Sequence, residues 1–504
     1  MGNCIESSNL SVSAKFIYKS PMQEITDEIS KLYVSCFNKK PLTISRLPQS
    51  GSDRQYFRIE GETKSVIATV NSNQKENETF CYFSNHFKAL NFPVPEIFAI
   101  NNDKTIYLQS DFGDVSLLNV IEEKGKTEEV YDLLKQSLKN LAILQISGDR
   151  GLNYDQCITS KEFGKQAILS DLLYFKYYFL DTLKIPYDKE KLIEDFDALS
   201  NYLSRVDYKF FMYRDFQSRN VMVQNDKVFF IDYQGGMKGA LQYDVASFLW
   251  QAKAELSDEW KDGLLDYYMD CVDEILPTPI DRNRFVSQYN GYVLIRLLQV
   301  LGAYGFRGIF ERKAHFLDSI PLALQNLHNF LNHKMVGISV PEFERLLTII
   351  VSDEMVSRFT NIKANAQTPL VIKINSFSYK KTGYPRDESD NGGGFVFDCR
   401  GILNPGRLEE FKIQTGRDKP VKDFLEQKTE MPGFMNNVYN LVDISVSDYL
   451  KRGFSSLMIN FGCTGGQHRS VYAADALARH LRNKFNVNIE INHIEQGIKE
   501  KRGF

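Results

Sequence analysis

Apolar and polar positions change period several times along the chain, and each change marks a predicted element. Over residues 22–37 the apolar side chains Ile25, Ile29, Leu32, Tyr33 and Phe37 follow the repeat of an amphipathic helix. Residues 47–59 then read as β structure and lead through a turn at Glu60-Gly61 into the strand 65–70. Residues 76–90 read as helix, broken by Asn91-Phe-Pro-Val-Pro-Glu, whose prolines remove donors and fix the backbone. A strand over 105–110 ends at Asp111-Phe-Gly-Asp. From 117 to about 205 the pattern is mostly helical, with long periodic runs at 130–146 and 165–183. Residues 210–236 carry a buried run, Val228-Phe-Phe-Ile, and helices follow through 331.

A further helix is predicted over 341–359, and the polar stretch 360–368 marks a boundary. Beyond it, strand-like runs at 370–376, 394–398 and 456–461 alternate with helical ones at 421–427, 432–450 and 470–485. The terminal Lys499-Glu-Lys-Arg-Gly-Phe reads as a solvated tail. The expected fold class is α/β: an α+β, protein-kinase-like two-lobed domain followed by a smaller α/β domain. The expected division is a kinase-like domain at 20–333, a helical linker at 334–368 and a third segment at 369–504.

Length and charge narrow this picture. The 504 residues exceed one ordinary core, and 43% apolar with 25% charged content is that of a globular protein. Net charge is −3. From 369 to 504 there are 20 Lys+Arg against 16 Asp+Glu, a net of +4 that leaves −7 for the rest. So weak a field gives no electrostatic case for nucleic acid over the whole molecule. The seven cysteines are scattered and form no C-x-x-C pair, so neither a zinc ribbon nor a disulfide framework is expected. No secretory signal is read, and the longest apolar run, 292–306, is short and interrupted by Arg296. Met1-Gly2-Asn3-Cys4 resembles a lipidation start, but Glu6 stands where that motif needs Ser or Thr. A cytoplasmic protein without a membrane partner is the expectation.

The candidate chemistry lies in two stretches. Asp215 and Asn220 stand five residues apart in R-D-x-x-x-x-N, and Asp232 follows a predicted strand–turn–strand. Phosphoryl transfer needs a carboxylate to take the proton of the attacking hydroxyl, and an amide oxygen and a second carboxylate to hold Mg²⁺. Ahead of them, Ser50-Gly51-Ser52 is small enough to bring backbone N–H groups close to phosphates. The joint at Asp111 is where a two-lobed kinase binds the adenine edge through its backbone.

With those residues, 20–333 resembles the aminoglycoside phosphotransferase-like kinases, and within them the anomeric amino-sugar (AmgK-type) kinases of cell-wall recycling. Asp53-Arg-Gln-Tyr-Phe-Arg, Phe92-Pro-Val-Pro-Glu, Tyr213-Arg-Asp-Phe-Gln-Ser-Arg-Asn, Ile231-Asp-Tyr-Gln-Gly-Gly and Tyr243-Asp-Val-Ala-Ser carry the likeness. The resemblance implies an ATP- and Mg²⁺-dependent sugar kinase with Asp215 as base and Asn220 and Asp232 as metal ligands. It implies nucleotide contacts at Ser50, Gly51, Ser52, Arg54, Tyr56 and Asp111, and a structural role for Asp244. The acceptor it implies is N-acetylmuramate or N-acetylglucosamine, phosphorylated at C1. Two departures stand out. Thr69 lies near the place of the usual strand lysine, with Arg54 or Arg58 as candidates for its phosphate contact. Tyr213 and Gln217 replace the histidines that flank the base in related kinases. A catalytically silent adapter and an aminoglycoside kinase remain open as alternatives.

The second stretch, Phe461-Gly-Cys-Thr-Gly-Gly-Gln-His-Arg-Ser-Val, follows a strand and opens a helix. Inward N–H groups, a helix N-terminus and Arg469 could together cradle a phosphate, with the arginine closing on it bidentately. Cys463 and Arg469 also have the C-x₅-R spacing of cysteine phosphatases, without an evident general-acid loop. With Ser376-Phe-Ser-Tyr-Lys, Phe397-Asp-Cys-Arg, Asn404-Pro and Thr415-Gly-Arg-Asp-Lys, this loop closely resembles the C-terminal domain of the RNase adapter protein RapZ. By that resemblance Asp398, Cys463, Thr464, Gly465, Gly466, His468 and Arg469 line a phosphosugar pocket. The partners implied are an amino sugar, a sugar phosphate and a small regulatory RNA. No Walker A loop occurs.

Overall fold

The computed structural model describes residues 21–47, 54–62, 64–311, 313–360, 362–387, 389 and 393–503. Ser50, Gly51 and Ser52 lie outside them. The chain forms two compact units that do not follow its order: residues 1–167 with 203–293, and residues 168–202 with 294–504.

The first unit begins with α1 (Pro21–Phe37) and strands β1 (Thr43–Arg46), β2 (Gln55–Glu60) and β3 (Ser65–Val70). Next come α2 (Gln74–Ala89), β4 (Ile97–Ile100) and β5 (Ile106–Ser110). The five strands make one antiparallel sheet in the order β1-β2-β3-β5-β4. Ile29 and Tyr33 of α1 pack with Phe57, Ile59, Val66, Ala68, Ile106 and Leu108 into one core, so the helical period of α1 meets the strand alternation of the sheet.

The chain continues through α3 (Leu117–Lys124), α4 (Glu128–Gly148), α5 (Lys165–Tyr178) and α6 (Lys189–Ser204). Four short strands follow: β6 (Lys209–Met212), β7 (Val221–Gln224), β8 (Lys227–Phe230) and β9 (Met237–Ala240). They form two ribbons, β6 with β9 and β7 with β8. Then come α7 (Leu241–Leu249), α8 (Asp258–Ile275) and α9 (Arg282–Tyr304). α9 runs on into a π-helical turn at Gly305–Phe310, and the 29 residues together are long and apolar enough to cross a membrane by length and composition. The sequence expectation of no such stretch fails here because Arg296 interrupts the apolar run without interrupting the helix. Phe285, Tyr289, Val293, Leu294, Leu298 and Leu301 of α9 are buried within the protein, and core helices meet the same criteria as spans.

Within the second unit, α10 (Ala314–Leu317), α11 (Ile320–His333), α12 (Pro341–Ile350) and α13 (Asp353–Ser357) follow. α12 is tied to α6: Asp195 accepts from the Phe343 N–H at 2.8 Å, and Phe196 meets Phe343 edge-on. The last elements are β10 (Val371–Ser378), β11 (Gly394–Asp398), α14 (Lys419–Lys428), α15 (Met431–Arg452), β12 (Ser456–Cys463), α16 (Arg469–Phe485), β13 (Asn488–His493) and β14 (Ile498–Arg502). Their sheet runs β11-β12-β10-β13-β14, parallel except for β14. Ile372, Ile374, Leu457, Ile459 and Phe461 of its strands share one core with Val442 and Val446 of α15 and Leu477 and Leu481 of α16. An α+β domain followed by an α/β domain is therefore what the fold contains. Of the terminal residues read as a solvated tail, 499–502 belong to the edge strand β14, where Arg502 reaches Asp475 at 3.1 Å and Glu500 reaches Arg417 at 2.7 Å.

Candidate active site and phosphate cradle

A tight hairpin builds the first site. β7 and β8 are joined by Asn225 and Asp226 alone, and both have positive φ (52° and 57°), the conformation two-residue hairpin turns require. Asn220 precedes this hairpin and Asp232 follows it, so their approach is set locally. The Asn220 Nδ2 lies 2.9 Å from the Asp215 carbonyl, 3.3 Å from Asp215 Oδ2 and 3.4 Å from Asp232 Oδ2. Asp215, Asn220 and Asp232 thus stand together. Asp232 has φ +73°, unusual for a residue with a side chain, and Gln234 Nε2 donates to its Oδ1 at 2.9 Å.

The segment is held from behind. Fully buried Asp244 accepts from the N–H of Tyr213 at 2.7 Å, the N–H of Arg214 at 3.0 Å and the amide of Gln145 at 2.8 Å. Burial pushes its carboxyl up to about 7, although these three bonds pull the other way. The Tyr213 hydroxyl donates to the Ile231 carbonyl, one residue before Asp232. The tyrosine that departs from the kinase pattern therefore pins the segment of Asp232 to that of Asp215. Arg214, at φ +78°, lies over the rings of Phe163 and Tyr243 and donates to the Tyr243 hydroxyl at 2.8 Å.

Each acid of the site also faces an arginine. Arg219 Nη2 is 3.0 Å from Asp215 Oδ2, and Arg54 Nη1 is 2.8 Å from Asp232 Oδ1. Tyr56 receives a longer bond from Arg54 at 3.2 Å. Asp111 is engaged within its own lobe: its carboxylate accepts from Arg58, Ser65 and the Gly113 N–H, and these bonds hold its pKa below the usual carboxylate range against burial. Arg58 binds Asp111 and Asp114, so it is Arg54, not Arg58, that reaches Asp232. Arg219 and Glu76 were not singled out from sequence. For Arg219 the i, i+4 spacing to Asp215 was the available signal; for Glu76 it was its place in the first turn of the helix predicted after the strand 65–70.

Asn220 and Asp232 could hold Mg²⁺ once the Asn220 amide, whose Nδ2 faces both acids here, presents its oxygen instead. The described residues contain no cluster of three or more His, Cys, Asp or Glu that would hold a metal alone. An amide oxygen and one carboxylate are hard ligands that fit a cation sharing its remaining positions with phosphates and water.

In the second site β12 delivers Cys463 and α16 begins at Arg469. Gly466 has φ +68°, and a Cβ there would lie 2.3 Å from Glu495. Its N–H turns back to the Cys463 sulfur at 3.2 Å, and that sulfur lies 3.2 Å from the Ser470 hydroxyl. Ser378 donates to the Thr464 carbonyl at 2.7 Å, and Gly465 faces open space. His468 Nε2 contacts the Phe411 carbonyl at 2.9 Å. Arg469 differs from the expected bidentate phosphate ligand. Its Nη1 donates to the carbonyls of Arg400 and Ile402 at 3.1 and 2.7 Å, and Nη2 to Thr464 Oγ1 at 3.3 Å. The guanidinium is turned inward to hold the 399–402 turn. Asp398 is chelated by Arg400, which lowers its pKa and stacks over Tyr379.

Comparison with known proteins matches two consecutive segments of the chain, one around each site. Residues 43–276 match the family model described as "Phosphotransferase enzyme family", and residues 370–497 match "RapZ C-terminal domain". A curated relative, a "nucleotide-binding protein" of Fervidobacterium nodosum, is 35% identical over 139 residues, covering 27% of this chain and 47% of that protein. The chain spans about half the length of the curated relatives it matches first. Among solved structures, a thermostable mutant of aminoglycoside phosphotransferase APH(4)-Ia aligns at 16% identity and TM-score 0.37, covering 57% of this chain and 95% of that one. A choline kinase from Cryptosporidium parvum aligns at 13% identity and TM-score 0.43, covering 64% and 99%.

Proposed function

We propose that this chain, which joins a phosphotransferase domain to a RapZ C-terminal domain, is an ATP- and Mg²⁺-dependent sugar kinase of the cytoplasm. Its acceptor is an N-acetylated amino sugar, N-acetylmuramate or N-acetylglucosamine, phosphorylated at C1 in cell-wall recycling. Its C-terminal domain, 369–504, holds an amino-sugar phosphate. The observation that carries the kinase reading is the convergence of Asp215, Asn220 and Asp232 about one hairpin. Asp215 takes the proton of the acceptor hydroxyl, while Asn220 and Asp232 hold the metal. Bound Mg²⁺ supplies the positive charge that offsets the charge growing on the transferred group. Fixed, prearranged groups carry most of the rate in such chemistry.

For the second domain, the open face of Gly465 beside the first turn of α16 supports an anion cradle.

A silent adapter that binds nucleotide, phosphosugar and regulatory RNA is the second reading. The pairing of both site acids with arginines favours it. The deciding experiment is ATP consumption by the purified protein with N-acetylmuramate, N-acetylglucosamine, glucosamine and an aminoglycoside. Turnover with one N-acetylated sugar is expected. Binding of Mg–ATP without turnover of any member of the panel would favour the adapter.

A further inference from the structure

Two-lobed kinases hold the nucleotide's phosphates with a lysine on the strand after the glycine-rich loop, paired to a helix glutamate. Here Thr69 lies near that place on β3. It is fully buried, and its hydroxyl accepts from the Gln109 amide at 2.9 Å. No charge comes from that strand position. A cation nevertheless reaches the same spot from the neighbouring strand. Tyr56 of β2 lies directly opposite Thr69, and Arg54 is two residues before Tyr56. Side chains two apart share a face, so Arg54, Tyr56 and Thr69 project to one side of the sheet.

The surroundings of Arg54 complete the likeness to a lysine–glutamate pair. Its Nη2 is 3.0 Å from Oε1 of Glu76, in the first turn of α2, and the other Glu76 oxygen accepts from Asn71 at 3.0 Å. Its Nη1 is 2.8 Å from Asp232, and its Nε is buried with no partner. The side chain is only 13% exposed, so the charge is aimed and not solvated.

We propose that Arg54 binds the phosphates of the nucleoside triphosphate in place of the missing strand lysine, with Glu76 as its positioning residue. The proposal rests on the phosphotransferase reading. A guanidinium suits this relocation because its planar fork can keep one edge on Glu76 and offer the other to a phosphate, which an ammonium cannot do. Asp232 holds that second edge in the nucleotide-free arrangement, and phosphate oxygens compete with it for Nη1.

The test measures equilibrium binding of a fluorescent ATP analogue with Mg²⁺, alongside kinetics, for wild type, Arg54→Ala, Arg54→Lys, Glu76→Gln and Arg54→Ala/Thr69→Lys. Arg54→Ala is expected to weaken nucleotide binding about ten-fold or more, as loss of a charge-assisted contact does. Glu76→Gln is expected to raise the KM for ATP several-fold with a smaller change in kcat. Partial recovery in Arg54→Ala/Thr69→Lys would mark the duty as transferable between the two strands. If that double variant does not fold, Arg54→Lys serves in its place and is expected to bind between wild type and Arg54→Ala. Wild-type affinity and KM in Arg54→Ala would overturn the proposal and leave the kinase reading standing. Failure of the wild type to bind Mg–ATP would overturn both.

Discussion

The Tyr213 hydroxyl donates to the backbone carbonyl of Ile231, joining the residue two before the base to the residue one before the second acid. Both partners sit behind the site, and Tyr213 is fully buried. Tyr213→Phe keeps the ring and removes this bond, leaving a partly buried carbonyl without that donor. A loss of about 1–3 kcal/mol in stability is expected from such a change. Denaturant unfolding would read it, and turnover should fall with it, because Asp232 loses its anchor.

Asp215→Asn removes the proton acceptor and leaves the fold's contacts nearly isosteric. A fall of roughly 10²–10⁴ in turnover is expected, with nucleotide affinity little changed. Full activity in this variant, in a coupled ATP assay, would remove Asp215 from the role of base.

Asp244 gives a pH signature. Its carboxyl titrates near 7 in the folded chain against 3.8 for the ordinary group. Between about pH 4 and 7 the folded state holds a proton that the unfolded state has lost, so this group's contribution to stability falls as pH rises through that window. Asp244→Asn cannot titrate. Its stability is expected to vary less between pH 5 and 7.5 than that of wild type, whatever its absolute level, as read by urea unfolding at several pH values.

Arg469→Ala should act on folding and binding together. Two carbonyls, those of Arg400 and Ile402, lose their donor, and the 399–402 turn lies beside the cradle. A lowered melting temperature and lost binding of glucosamine-6-phosphate by calorimetry are expected. Arg469→Lys should not restore either, since one ammonium cannot serve two carbonyls and Thr464 from the same position. Retained affinity in Arg469→Ala would show that neither this guanidinium nor the turn it holds is needed for anion binding.

The sequence made Asp215, Asn220 and Asp232 legible as a group because a hairpin of fixed period lies between them. Local spacing carries such information. Arg54 and Glu76 were not legible as a pair, since they lie on different elements and meet only through the β2–β3 register and the entry of α2. The α/β alternation after residue 369 announced the parallel sheet, yet β13 and β14 escaped notice. The exposed positions of β14 carry Lys499 and Lys501, which a polar count reads as a tail. The inward turn of Arg469 escaped for another reason: spacing gives a residue's place, while direction depends on which carbonyls the neighbouring loop leaves without donors.

The two-residue hairpin has a further consequence, for the order in which the molecule assembles. Asp215 and Asp232 are seventeen residues apart in sequence, and most of that interval is closed by one tight turn. The chain entropy lost in bringing them together is that of a short loop. In the antiparallel sheet β3 and β5, by contrast, pair across a longer interval (Val70 with Ile106), and α7 must reach back to supply Asp244. The geometry of the reacting groups is therefore a low-contact-order feature, able to form early and survive local loosening elsewhere.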